Sequence, residues 1–542
     1  MGSNTLIKQL LQPYSTMRRW DDEIEFLRNY RFLSHSRFSC GNFYFHDKLG
    51  IQKRGEEMEF QDALGMANAV KSGQVSAKEL VEDAIARIER LNPSLRAVVD
   101  KQYEEALARA TAGSFADKVF GGVPILLKDL GQHQAGHLST AGSRLFANYR
   151  PSQTDAFVQR LEDLGFIILG RTNTPEFGFK NISDSSLHGP VNLPRDPQRN
   201  AGGSSGGAAA AVAAGLVPLA AASDGGGSIR IPASFNGLIG LKPSRGRMPV
   251  GPSSYRGWQG ASVHFAITRS IRDTQALLQG MQVCQLESPF PLPTLSDAAL
   301  SAELARPLKI ACYLESPIGS PVSADAQQAV LQAVEQLKKL GHHLVELPAF
   351  PIDGIEVVRS YYLMNSVETA QMFDEIEASL GRTMTPEDME IMTWAIYQSG
   401  QTIPAKLYSK TLQDWDQFSA QMAAFHREYD LLLTPTVADV APLHGQFDLD
   451  SGLLADLANM ASFSMQDQQE LIWQMFADSL AWTPFTIFAN LTGQPAISLP
   501  TYQTAAGLPI GIQLSAAKGR EDLLLALSRQ LERQNFLKIS PL

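Results

Sequence analysis

At 542 residues, with 44% hydrophobic and 19% charged side chains, the chain has ordinary globular composition and ample length for a large core, as one domain or several. A net charge of −10 gives no electrostatic footing for nucleic acid, which needs clustered Lys and Arg. Three widely spaced cysteines, Cys40, Cys284 and Cys312, argue against a disulfide framework and for a reducing, cytoplasmic setting. No membrane span is expected, because the one long uncharged run follows Ser205, is alanine-rich and only weakly hydrophobic.

Residues 1–57 mix aromatic and charged side chains without sustained periodicity and read as an extension of undecided structure. The first twenty lack acidic groups and carry Lys8, Arg18 and Arg19, as transit peptides do, but have neither the apolar core nor the cleavage site of a secretory signal. From Phe60 the pattern is helical. Ser76 and Glu79 form a capping box, and Leu80, Ala84, Ile88 and Leu91 fall on one face before Asn92-Pro93 is expected to end the helix.

Gly121 to Leu127 is an apolar run of strand character ending in Lys128-Asp129. A lysine at the end of a buried strand is hard to desolvate, which favours its neutral form and lets it act as a base near pH 7; the competing reading pairs it with Asp129 or lets it reach solvent. Next come a helix with Phe157, Val158, Leu161 and Leu164 inside, a buried strand at 166–170, and a turn through Asn173. Helices alternating with short apolar strands predict an α/β sandwich, a mixed central sheet covered by helices on both faces.

Gly-Gly-Ser-Ser-Gly-Gly at 202–207 feeds an alanine-rich helix, Leu216–Ala222 reads as a buried strand, and Asp-Gly-Gly-Gly-Ser at 224–228 is a second glycine turn before a short helix at Pro232. Ser204 and Ser228 thus sit on two glycine turns with open backbone N–H groups, which suit an anion developing on a carbonyl that a serine attacks. Residues 286–306 read as a proline-containing connector, and 286–430 as a largely helical region interrupted by strands near 309–313 and 344–347. Its Tyr361, Tyr362, Met364, Met372, Met392, Trp394 and Tyr397 stand at helical spacing, which marks core more often than pocket, and none is assigned individually.

Three other patterns compete. Gly-Ser-Ser-Gly-Gly at 203–207 also fits a nucleophile elbow with Ser205 as the serine of an esterase, needing Asp430 or Asp439 and then His444. Ser515 to Lys518 matches Ser-x-x-Lys without its later partners, and His133 and His137 lack the glutamate of a zinc hydrolase helix, so no metal or other cofactor is implied.

The motifs Gly-Val-Pro-Ile-Leu-Leu-Lys-Asp at 122–129, Ser-Thr-Ala-Gly-Ser at 139–143, Arg-Thr-Asn-Thr-Pro-Glu-Phe-Gly at 171–178, the two serine turns and Gly-Leu-Lys-Pro at 240–243 together resemble the amidase signature family of Ser–cis-Ser–Lys hydrolases. The resemblance covers about Met58 to Glu532, so an amidase domain is expected over 58–535, with 286–430 walling the substrate pocket. It implies hydrolysis of a linear amide through an acyl-enzyme on Ser228. Ser204, after a cis Gly203–Ser204 bond, would relay the proton and Lys128 would be the base. Gly225, Gly226 and Gly227, with the Ser228 N–H, would hold the oxyanion, supported by Ser205, Asp224, Arg230 and Asn173. Gly225 departs from the family, which more often has a side chain there. Within the family the resemblance is closest to stand-alone amidases acting on a small-molecule amide, with a homodimer as the assembly to test. The alternatives are the glutaminase subunit of a tRNA-dependent amidotransferase, a carbamate or ester hydrolase, and a catalytically inert scaffold.

Overall fold

The structure, a computed structural model, describes residues 52–54, 57–59 and 62–541. The reading of residues 1–57 as an extension therefore lies outside the described residues, apart from a short antiparallel pair, Gln52–Arg54 with Glu57–Glu59.

An eight-stranded mixed sheet carries the molecule. Its strands run, edge to edge, Ala220–Asp224, Val263–Thr268, Ile239–Lys242, Ala496–Gln503, Pro509–Ala516, Leu431–Pro435, Lys309–Cys312 and His343–Glu346. The first five of these pairings are antiparallel and the last two parallel. Helices flank the sheet, giving the α/β class expected. A second sheet of three strands, Val98–Lys101, Ile167–Thr172 and Pro124–Lys128, lies beside the Ala220–Asp224 edge without joining its ladder, so the single central sheet of the sequence reading is two. Strand pairing between segments this far apart leaves no mark in local periodicity.

The helix Gly206–Ala213 runs between these layers, and its Ala208 to Ala211 are fully buried. Small side chains all round allow such close burial and explain why this helix has no polar face. The capped helix begins at Ala77 as expected, with Glu79 N–H donating to Ser76 Oγ at 3.1 Å and Ser76 N–H to Glu79 Oε2 at 2.8 Å. It does not stop at Asn92-Pro93 but continues to Leu95. Pro93 falls in the last turn, where one missing N–H is tolerated, and Arg96 closes the helix in the left-handed region at φ 54°.

Two other boundaries differ from the sequence reading. The strand expected at 216–222 is Ala220–Asp224, because a turn through Gly215 and Pro218 delays it. The connector 286–306 contains a short helix, Asp297–Ser301, capped by Ser296. Beyond it the helices Gly354–Leu380, Ile391–Thr402, Ala405–Glu428 and Met465–Trp482 build a second core around Tyr361, Tyr362, Trp415 and Phe476. Tyr361, Tyr362, Met364 and Tyr397 are buried in the core, whereas Met372 faces a cavity. Among the described residues no helix is long and apolar enough to cross a membrane.

Candidate active site

Lys128 ends the strand Pro124–Lys128 with its side chain fully buried. Its Nζ donates to Ser204 Oγ at 2.7 Å and to Ser223 Oγ at 3.0 Å. Burial penalises the ammonium form and pulls the amine down to about 7, against a weaker opposing pull from Asp224. The pairing with Asp129 is thereby excluded: Asp129 instead accepts from Thr140, through both its N–H and its hydroxyl, and so holds the 139–143 loop. The lysine backbone is pinned from both sides, its N–H donating to Gln132 Oε1 at 2.8 Å and its carbonyl accepting from Arg171 at 3.1 Å.

The first glycine turn meets this amine through Ser204. The Gly203–Ser204 peptide bond is cis, and a Cβ on Gly203 would lie 2.6 Å from the backbone N of Ile182, so only glycine fits there. Ser205 N–H donates to Ser228 O at 3.3 Å, fastening the first turn to the second. Ser204 and Ser228, 2% and 6% exposed, open onto one cavity together with Ser223 and Gly225. No hydrogen bond joins the Ser204 and Ser228 hydroxyls directly.

Among the described residues the N–H groups of Gly225, Gly226, Gly227 and Ser228 find no acceptor, while the Gly226 carbonyl accepts from Thr486 Oγ1 at 2.6 Å and that of Gly227 from Ile231 N–H at 2.8 Å. Gly227 has φ +140°, and a Cβ there would strike Thr486 Oγ1. The turn thus presents several donors in a row with the Gly226 and Gly227 carbonyls tied elsewhere, the arrangement an anion needs.

A buried ion pair fixes this turn from behind. Arg230 clasps Asp224 through Nε and Nη2 at 2.9 and 2.8 Å and also donates to Thr486 O, Gln513 Oε1 and Asn490 Oδ1. Burial alone would raise the Asp224 carboxyl, but the Arg230 guanidinium outweighs it and holds it at about 2. Asp224 further accepts from Ile229 N–H and Asn490 Nδ2.

Ser205 Oγ donates to Ser223 O at 3.2 Å and lies fully buried away from the cavity, whereas His444 sits beside Gln198; the elbow reading with Ser205 and His444 has no geometry behind it. Asn173 bonds Arg96 O and Gly189 O and takes the Gly207 N–H on its carbonyl, so it anchors the alanine helix at one remove from the serines. His133 is paired with Asp155, His137 with Glu105, and among the described residues no group of three metal-ligating side chains occurs.

The cavity measures about 770 Å³. Phe177, Phe179, Trp258, Leu130 and Met372 give it apolar walls, and Glu368, Glu375 and Arg256 supply charge. His264 lines it too, held neutral because burial lowers it to about 4. Sequence reasoning missed Ser223, Gln132, Asn490, Gln513 and Trp258. Ser223 had a signal, being two residues from Ala221 on a strand leading into the serine turn; Asn490 and Gln513 had none, since they join from more than 250 positions away.

Comparison with known proteins identifies the family. The family model described as Amidase matches residues 79–525. A lipoamidase of Enterococcus faecalis is 39% identical over 481 residues, covering 87% of this chain, which spans 63% of the lipoamidase's length. A 6-aminohexanoate-cyclic-dimer hydrolase of Paenarthrobacter ureafaciens is 33% identical, covering 87% of this chain and 94% of its own. A structure of 6-aminohexanoate cyclic dimer hydrolase complexed with substrate superposes with a TM-score of 0.78 at 32% identity, over 88% of this chain and 97% of the other. The chain belongs to the amidase family, the amidase signature hydrolases of carbon–nitrogen bonds.

Proposed function

We propose that the chain hydrolyses a linear amide through a seryl acyl-enzyme, with Ser228 as nucleophile, Ser204 as relay and Lys128 as base. One observation carries this: a fully buried lysine, its amine pulled down to about 7, donates to a serine hydroxyl lining a cavity whose second serine stands among N–H groups unpartnered within the described residues.

Ser228 turns its hydroxyl toward Ser204 and attacks the carbonyl carbon; its proton passes to Ser204, and that of Ser204 to the free electron pair on Lys128 Nζ. The N–H groups of Gly225, Gly226, Gly227 and Ser228 hold the oxyanion, where one lost donor costs on the order of 10²–10³ in rate. The C–N bond then breaks as the relayed proton returns to the leaving nitrogen, and water repeats the sequence to release the acid and restore Ser228. Ser205, Asp224, Arg230 and Asn173 support the turns. The relatives' names, a lipoamidase and a cyclic-dimer hydrolase, favour a stand-alone amidase over a glutaminase subunit, and a cavity this large and apolar exceeds what glutamine requires. The residue range 58–535 serves as the amidase domain. Cys284 and Cys312, both unpaired, fit a cytoplasmic setting.

A fluorophosphonate probe followed by peptide mapping tests the reading. The label is expected on Ser228; a label on Ser205, or full turnover by Ser228→Ala, overturns it.

A further inference from the structure

The structure supplies a local reason for a glycine at 225. A Cβ built there would lie 2.9 Å from both Cε3 and Cζ3 of Trp258, closer than real side chains approach. The indole therefore occupies the space that a side chain at 225 would take, directly over the first donor of the proposed oxyanion turn. The ring is wedged: it lies parallel to Phe179, with centroids 5.8 Å apart and planes within 2°, and edge-on to Tyr361 at 5.8 Å. Phe177 continues the aromatic row beyond Phe179.

The backbone that delivers this ring is costly to hold. Trp258 and its neighbour Gln259 both sit in the left-handed region, at φ 48° and 50°, a conformation non-glycine residues keep only where surroundings enforce it. The enforcement is visible. Gln259 Nε2 donates to Glu368 Oε1 at 2.7 Å and to Tyr408 Oη at 3.0 Å, and Tyr408 donates to the same Glu368 oxygen at 2.8 Å. Glu368 belongs to the helix Gly354–Leu380 and Tyr408 to the helix Ala405–Glu428, so two helices of the variable region grip the residue next to Trp258. All four residues line the cavity that holds Ser204 and Ser228.

We propose that Trp258, seated on Gly225 and clamped through Gln259 by Glu368 and Tyr408, is a specificity-determining residue of the amide site, an aromatic platform that selects substrates carrying a planar apolar group beside the scissile carbonyl. The inference rests on Ser228 being the nucleophile. A flat π-face backed by Phe179 gains more from a ring laid on it than from a methyl group, whereas a small acyl group leaves it wet.

Sulfonyl fluorides test this without knowledge of the natural amide. Ser228 Oγ attacks sulfur, the O–S bond forms, the S–F bond breaks, fluoride leaves, and the hydroxyl proton passes through Ser204 to Lys128. Inactivation rates with phenylmethanesulfonyl fluoride and methanesulfonyl fluoride are compared on the full chain. The wild type is expected to prefer the phenyl reagent, Trp258→Ala to lower that preference at least fivefold, and Trp258→Phe to keep most of it. Glu368→Ala, releasing the clamp, is expected to fall between them. Gly225→Ala is expected to disturb the wild type but to be tolerated in the Trp258→Ala background, where the blocking ring is gone; thermal melting reads this coupling independently of reactivity. A preference that moves less than fivefold in a folded Trp258→Ala variant overturns the proposal while leaving the amidase reading intact. A wild-type chain in which neither reagent modifies Ser228 overturns that reading and the proposal with it.

Discussion

Two lysines in this molecule share an environment and differ in what they can do. Lys128 and Lys242 each end a sheet strand, each is fully buried, and burial pulls each amine down to about 7. Around Lys242 the charges of Arg230 and Arg245 push the same way. The contrast lies in the partners. Lys128 Nζ meets two hydroxyls, groups that give and take protons, and both open on the cavity; Lys242 Nζ meets the carbonyl of Pro243 at 2.8 Å, an acceptor with no proton to pass. A weak hold on a proton is thus a by-product of burial that the fold produces twice. Becoming a base takes a relay as well.

Substitutions can break or sharpen that contrast. The largest effect is expected at the end of the relay: Ser228→Ala should lower kcat by roughly 10⁵-fold, as nucleophile loss does in other serine hydrolases, in a steady-state assay of amide turnover. Lys128→Met should lower kcat roughly 10³-fold or more, in the range of general-base loss with its relay, while Lys242→Met stays within tenfold of wild type; equal losses would dissolve the distinction. In the pH profile, kcat/KM should rise about tenfold per pH unit below about 7 as Lys128 loses its proton, and level off above. Lys242→Met should leave that rise in place.

Stability provides the smallest and most symmetrical test. Each lysine has a native pKa near 7 against an ordinary value of 10.5, so between those values the unfolded chain holds a proton that the native site has released. Unfolding then takes up protons, and stability climbs with pH by up to about 1.4 kcal/mol per unit for each lysine. Denaturant titrations from pH 7 to 9 should show the climb reduced by a similar amount in Lys128→Met and in Lys242→Met, because here the two residues are equivalent.

The same contrast marks how far the sequence could be read. The proposed triad of Lys128, Ser204 and Ser228 could be named from sequence because each residue is announced locally, by an apolar run ending in a charge or by glycines crowded around a serine. The residues that make them work are not announced. Asn490 and Gln513 reach Arg230 only through sheet pairing and helix placement; Ser223 and Gln132 look like ordinary polar residues until Lys128 lies between them. Trp258 was invisible because a left-handed backbone at a tryptophan has no sequence signature, although the glycine at 225 was its imprint. Helix ends were misjudged where a proline in a final turn did no harm, as at Pro93.

The seam between the two sheets has a consequence for how such a catalyst ages. Lys128 rides on the three-stranded sheet and Ser223 on the edge of the eight-stranded one, and no ladder rungs cross between them; Lys128 reaching Ser223 and Gln132 reaching Ala222 are sutures of side chain alone. A slip along that joint would part the proposed base from the strand that leads to the proposed nucleophile, with the ladders on either side still paired. Warming should therefore silence turnover reversibly some degrees before the molecule melts.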